Sequence, residues 1–196
     1  MNARIDMASL ASSQDSPASV SDDLIAAMSQ GLMTQLDLMS HIQHLESLGE
    51  LRAAANLYAL WINHAKATDK HFALFNYGGM LQNLQRPEEA LAAYAACIAL
   101  KEDFPQAYIN RGLLFEKLGQ DAQALQTWLS LVSRRYMAKP PTDEFLTMAL
   151  NHMGRLQEKL KNYAQAEQAL EESLSINPAQ PGVIQHWMHR SEEHTV

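Results

Sequence analysis

The chain has 196 residues, of which 47% are hydrophobic, so it can bury a sizeable core as one domain or a short repeat array. Its 22 acidic residues outnumber its 15 basic ones, which gives a formal net charge of -7, and no basic block is present to form a nucleic-acid surface. No apolar run approaches the roughly 18 residues of a membrane helix. We therefore expect an acidic, soluble protein with no nucleic-acid or membrane partner.

The single cysteine points to the cytoplasm. Cys97 has no partner in the chain, so an intramolecular disulfide cannot form, as is usual in a reducing compartment. We expect it to be a small buried hydrophobic residue and not a reactive thiol.

The N-terminal residues 1–20 contain several serines and show no hydrophobic periodicity, which predicts a disordered segment without the apolar centre of a signal peptide. We expect a helical domain over residues 21–189. Within it, residues 35–70 are predicted to form a partial repeat. Gly49, Ala54 and Tyr58 in HLESLGELRAAANLYALW have the same spacing as Gly119, Ala124 and Trp128 later in the chain.

A period of 34 residues follows. An asparagine, a glycine, an alanine and an aromatic residue recur at fixed offsets in two consecutive segments, 71–104 and 105–138. They are Asn76, Gly78, Ala90 and Tyr94 in the first copy and Asn110, Gly112, Ala124 and Trp128 in the second. A further copy, 147–180, carries Gly154, Ala166 and Leu170 after an insertion in SRRYMAKPPTDEF. A capping helix is predicted over 182–189.

Each copy divides into two helices. Pro87 and Pro105 suit first helical positions, where the missing N–H costs nothing. Gly49 and Gly119 can adopt the left-handed backbone that ends a helix, whereas Gln85 and Lys161 occupy that position in the other copies and predict less favourable turns.

These marks resemble the tetratricopeptide repeat over roughly residues 38–178. The resemblance implies an all-α fold, a right-handed α-solenoid of helix-turn-helix repeats. Glu102 and Tyr136 depart from it, since a proline is usual there, and Leu170 replaces an aromatic residue. We expect the repeat glycines to allow close helix packing, and Tyr94 and Trp128 to fill the space between consecutive repeats.

Polar residues on the first helices are the candidate ligand contacts. Asn76 and Asn110 lie two residues before the packing glycine and should project into the concave groove of such a solenoid. A primary amide both donates and accepts, so a column of them can bind an extended peptide backbone without selecting its side chains. The complete predicted set is Asn76, Asn110, His152, Asn151, Phe75, Gln82 and Glu116. The alternative interpretation is that the asparagines hydrogen-bond a neighbouring repeat or a helix end.

The column of asparagines resembles that of O-linked N-acetylglucosamine transferases, and segments such as LYALWINH, FNYGGMLQNL and INRGLLFEKLG resemble the N-terminal region of bacterial SPINDLY-type glycosyltransferases. This implies that the chain is the non-catalytic, substrate-recruiting arm of a larger transferase, with no catalytic residue or cofactor of its own. Residues 190–196 do not fit the family. Because RSEEHT is also how a common sequencing-adapter DNA would translate in one frame, we hypothesise a non-native tail on a truncated gene.

Two other possibilities follow from the residues. His41 and His44, like His186 and His189, have the spacing of a helical zinc pair, but no cysteine or acidic ligand cluster accompanies them, so no metal site is expected. The alternative function to peptide binding is self-assembly into a homo-oligomer through the convex face or an exposed terminal repeat.

Overall fold

The computed structural model describes residues 22–65, 70–137 and 140–185. Every regular element in these ranges is a helix. The predicted disordered segment 1–20, the tail 190–196, His186 and His189 lie outside the described residues. The chain divides into two compact units, unit 1 ending at Glu102 and unit 2 beginning at Asp103.

Unit 1 contains five described helices around one hydrophobic core. They are α1 (Asp22–Gln30), α2 (Gln35–Ser47), α3 (Leu51–His64), α4 (His71–Asn83) and α5 (Pro87–Leu100). Helix α3 packs against α1, α2 and α4, and α4 packs against α5. Trp61, in the last turn of α3, is fully buried, and its indole N–H donates to the carbonyl of Met33 at 3.2 Å.

Unit 2 repeats the same pairing. Its helices are α6 (Pro105–Lys117), α7 (Asp121–Ser133), α8 (Asp143–Lys159) and α9 (Tyr163–Ile176), and residues 181–185 are also helical. Helix α7 packs against α6 and α8, and α8 packs against α9. After α7, Arg134 stacks on the ring of Tyr108 and Arg135 pairs with Glu172 of α9, so two cations anchor the start of the insertion.

Part of the insertion is helical. Helix α8 begins at Asp143, four residues before the predicted start of its repeat at 147. Thr142 has the extended backbone of an N-cap, and Asp143 and Glu144 place negative charge on the first turn, which the helix dipole favours. The additional turn also buries Leu146, so burial of an apolar side chain contributes to the longer helix.

Three repeat glycines each face a large side chain of their own repeat. A Cβ at Gly78 would lie 2.6 Å from the ring of Tyr94, and one at Gly112 would lie 2.6 Å from the indole of Trp128. At Gly154 the nearest atom would be Leu170, at 2.7 Å. The predicted close packing against the second helix of the repeat is therefore present, and the side chain nearest each glycine is the large residue of that helix. Trp128 meets the following repeat as well, through His152.

Cys97 is buried in α5, as predicted. Its thiol donates to the carbonyl of His71 at 3.2 Å, and burial raises the pKa of the thiol to about 12. The thiolate, which is the reactive form, is therefore disfavoured.

The turns within the repeats confirm the predicted use of left-handed backbone. Gly49 and Gly119 have φ of 76° and 70°, and Gln85 and Lys161 adopt φ of 58° and 62° at the same position. A side chain in this conformation costs roughly 1–2 kcal/mol, and the turn tolerates that cost at two of its four occurrences.

Replacing Lys161 by glycine should stabilise unit 2. The substitution removes the strain of the left-handed residue, and the greater freedom of glycine in the unfolded chain offsets part of the gain, leaving about 0.5–1 kcal/mol. Urea unfolding of the two proteins measures the difference. Glycine at Lys159, the last residue of helix α8, is the control: this lysine has no left-handed strain to relieve and loses its bond to Asp121, so the substitution should destabilise. Stabilisation by both substitutions, or by neither, would contradict the prediction.

Candidate functional site

At one position of the repeat, a polar side chain hydrogen-bonds the polar group of the buried aromatic residue. In unit 1, Gln82 donates from Nε2 to the hydroxyl of Tyr94 at 2.6 Å. In unit 2, Glu116 accepts from the indole N–H of Trp128 at 2.8 Å. Both residues are predicted ligand contacts, and the structure gives each an internal partner. The arrangement satisfies a polar group that would otherwise be buried without a bond.

Asn76 lies on α4 and contacts the helices that precede it. Its Nδ2 is 3.7 Å from the sulfur of Met39 on α2, which the hydroxyl of Tyr58 on α3 approaches at 3.6 Å. Burial, and then the charge of Glu46, raise the pKa of Tyr58 to about 12, while a hydrogen bond from Asn76 acts in the opposite direction. Asn76 is therefore half-buried beside another repeat, which is the contact that the alternative interpretation expects.

Phe75 and Asn110 are both half-buried on first helices. The ring centroid of Phe75 lies 5.9 Å from that of Tyr94, in a tilted arrangement that favours packing between the two aromatic side chains. Asn110 occupies on α6 the position that Asn76 occupies on α4.

His152 is the centre of a polar cluster in unit 2. It lies on α8, and its Nδ1 is 2.7 Å from Oε1 of Glu116 on α6. Its ring stacks on the indole of Trp128 on α7, with the centroids 4.6 Å apart and the planes 23° apart. Three helices thus contribute one side chain each, and we call Glu116, Trp128, His152 and the neighbouring Arg155 the imidazole cluster.

The proton positions in the imidazole cluster follow from its geometry. A carboxylate can only accept, so Nδ1 of His152 must carry the hydrogen that it donates to Glu116. Nη2 of Arg155 lies 2.8 Å from the same Nδ1, but two donors cannot bond each other. The favourable partner of the guanidinium is therefore the carboxylate of Glu116, whose Oε2 is 3.8 Å away.

The pKa of His152 lies below its ordinary value. Burial disfavours the charged imidazolium, and the nearby Arg155 adds to this, while the carboxylate of Glu116 opposes both. The imidazole is therefore neutral at pH 7.

Asn151 faces the other side of α8. Its amide nitrogen donates to Oε1 of Gln180 at 2.7 Å, and its amide oxygen accepts from the hydroxyl of Ser173 at 2.7 Å. Donor and acceptor are both engaged within unit 2, which fixes the end of α9 to α8. Its predicted contact with a ligand would require these bonds to open.

Sequence reasoning assigned Trp128 only to packing and did not single out Arg155. The polar partner of Trp128 could have been found from the repeat itself. In both full copies a polar residue lies 12 positions before the aromatic residue: Gln82 before Tyr94, and Glu116 before Trp128. Nothing in the sequence distinguishes Arg155, because its position holds Gly79 and Leu113 in the other copies.

The repeated helix pairs, each with a glycine set against its own second helix, define the class as a helix-turn-helix repeat protein. Tetratricopeptide repeat family models match residues 73–104, 106–135 and 149–180. The chain therefore contains tetratricopeptide repeats, and the predicted all-α fold of such repeats is confirmed. None of the curated proteins matches this chain.

Several solved structures share the fold at low sequence identity. The N-terminal domain of stress-induced protein-1 (STI-1) from C. elegans is 19% identical, with a TM-score of 0.57 over 62% of this chain and 94% of that one. MamA from Desulfovibrio magneticus RS-1 is 17% identical, with a TM-score of 0.60 over 83% and 89% of the two chains. The first tetratricopeptide domain of Spaghetti (RPAP3), bound to the HSP90 peptide SRMEEVD, is 18% identical, with a TM-score of 0.52 over 66% and 97%.

The described residues contain neither a membrane-spanning helix nor a cluster of metal ligands. No helix there combines the length and the apolar character that crossing a membrane requires. Within the same ranges, no group of three or more histidine, cysteine, aspartate or glutamate side chains could hold a metal ion.

Proposed function

We propose that this chain binds an extended peptide through polar side chains on the first helices of its repeats. Asn76, Asn110 and His152 would contact the peptide backbone, and Phe75, Gln82 and Glu116 would support them. The observation that carries the proposal is the imidazole cluster: His152 occupies the repeat position of the two asparagines and is held by side chains of two other helices.

The chemistry of the three residues supports backbone recognition. An amide or a neutral imidazole offers hydrogen-bonding groups without a net charge, so it matches the N–H and C=O groups that every peptide presents. The Spaghetti domain supports it by analogy, since a relative of this fold holds a peptide. The proposal therefore names the binding mode and leaves the peptide sequence open.

We further propose that the parent protein is an O-linked N-acetylglucosamine transferase-like enzyme of SPINDLY type, which this arm supplies with acceptor proteins. The support is the likeness of FNYGGMLQNL and INRGLLFEKLG to that family, together with the column of asparagines formed by Asn76 and Asn110. The chain alone should transfer no sugar from a sugar nucleotide to a peptide.

Alanine at both Asn76 and Asn110 should weaken peptide binding by roughly 30-fold to 700-fold. Each amide is expected to contribute one to two hydrogen bonds of about 1 kcal/mol, and tenfold corresponds to about 1.4 kcal/mol. The measurement is the affinity of both proteins for peptides selected from a random dodecapeptide library. Asn63, an exposed asparagine on the second helix α3, gives the control Asn63→Ala, which should leave affinity unchanged. Equal affinities for the double variant and the wild type, with intact helical circular dichroism, would reject the proposal.

Self-association is the second candidate function. Tyr136 and Met137 are adjacent and 81% and 51% exposed, which is unusual for two large apolar side chains that follow a helix. Light scattering over a range of protein concentrations separates the two functions, because a strict monomer at every concentration would exclude self-assembly.

A further inference from the structure

We propose that His152 presents Nε2 to the bound peptide as a hydrogen-bond acceptor, and that a proton taken up at Nε2 switches this contact off. This inference rests on the proposed peptide-binding function and adds its regulation by pH. Glu116 and Trp128 act as positioning residues, because they hold the imidazole and do not themselves contact the peptide.

The orientation of the ring is fixed from two directions. Trp128 is fully buried and lies under the imidazole face, and Glu116 bonds one edge of the same ring. Trp128 is itself held in place, because its indole N–H bonds Glu116 and its ring lies against Gly112. A rotation of His152 would break the bond to Glu116, so the imidazole is pre-organised for a ligand.

The proton position follows from the bond to Glu116. A neutral imidazole has one N–H, and since Nδ1 holds it, Nε2 carries the lone pair. Among the described residues none bonds Nε2, and Nε2 does not appear among their buried unpaired polar atoms. The side chain is 16% exposed and Nε2 is not a fully buried atom, so this nitrogen can accept from an outside donor.

A peptide supplies a suitable donor. A backbone N–H can donate to Nε2 while the imidazole is neutral, but protonation turns Nε2 into a donor and removes the acceptor. Asn76 and Asn110 offer both functions at every pH, so the histidine is the member of this series that responds to protons.

The surrounding charges set the direction of the switch. Glu116 on α6 favours the proton, whereas burial and Arg155 on α8 oppose it with a larger combined effect. The other charges that join α7 to α8, Asp121 and Lys159, pair with each other at 2.7 Å. Because the native pKa lies below the ordinary value of 6.5, the acceptor form prevails above pH 6.5 and is lost as the pH falls towards the native pKa.

Nitrogen NMR of the full, histidine-labelled chain tests the positioning without a ligand. His152→Asn assigns the signal. We expect the Nδ1–H tautomer at pH 8, a lower pKa of His152 in Glu116→Gln and a higher one in Arg155→Gln. The Arg155 variant changes a side chain that is 62% exposed, so it should fold even if the Glu116 variant does not. An Nε2–H tautomer, or a pKa that Arg155→Gln leaves unchanged, would overturn the inference.

The same signal, followed in the presence of the best dodecapeptide from the library, tests the switch. Binding should lower the pKa of His152, because a ligand that prefers the neutral form must disfavour the proton by the same factor. Affinity should fall as the pH is lowered from 8 through the native pKa of His152, by at most about tenfold, the effect of one hydrogen bond, and His152→Gln should lose most of this dependence. Binding with an unchanged or raised pKa would overturn the switch alone. Failure of every peptide to bind would overturn the proposed function and, with it, the switch.

Discussion

Alanine at Gly78 should lower the free energy of unfolding by about 1 to 2 kcal/mol, whereas alanine at the adjacent Gly79 should raise it by about 1 kcal/mol. Both glycines lie inside helix α4, so alanine gains about 1 kcal/mol of helix propensity at either position. The difference comes from the space that each Cβ would enter.

At Gly78 the added Cβ would lie 2.6 Å from the ring of Tyr94, which is fully buried. Forcing an extra methyl group into such a contact costs about 1–3 kcal/mol, and occasionally more, which exceeds the propensity gain. At Gly79 the nearest atom is the hydroxyl of Tyr94 at 3.9 Å, an ordinary contact, so only the gain remains.

Chemical denaturation of the two variants and the wild type measures this pair of effects. The double variant Gly78→Ala with Tyr94→Ala supplies the control, because the removed ring leaves room for the Cβ and alanine at Gly78 should then stabilise relative to Tyr94→Ala alone. If both single variants changed the free energy of unfolding in the same direction, the contact with the Tyr94 ring would not explain the need for glycine at position 78.

The second large effect is expected at Glu116, where alanine should destabilise unit 2 by about 2 kcal/mol. The substitution leaves the indole N–H of the fully buried Trp128 without its acceptor and removes the partner of His152. A buried donor that loses its acceptor costs about 1–3 kcal/mol. Thermal or urea unfolding, monitored by tryptophan fluorescence, measures the loss.

Glu158 offers the matched control for this prediction. It holds the same repeat position in the following copy, but the aromatic position there is Leu170, which has no donor to satisfy. Glu158→Ala should therefore cost less than half as much as Glu116→Ala. Equal costs would show that the carboxylate at this position stabilises the protein through a contact other than its hydrogen bond to the aromatic side chain.

The helices and turns of this protein are largely predictable because their causes are local. Pro87 and Pro105 begin α5 and α6, since each has a fixed φ and needs no N–H at a first helical position. Gly119 ends its helix in the left-handed conformation, and Lys161 takes the same conformation because the repeat imposes it there. The sequence did not predict that α8 begins at Asp143, since burial of Leu146 depends on the neighbouring helices.

The candidate site divides in the same way. The repeat period and the equivalent positions of Asn76, Asn110 and His152 can be read from the sequence, because a repeated helix pair gives each position the same place within its own repeat. What those side chains contact depends on how the helices pack. Glu116 and His152 are 36 residues apart, and their bond exists because α6 and α8 both pack around Trp128 of α7. The hydrogen-bond partners, and with them the position of the proton on His152, depend on distances between helices that no local pattern encodes.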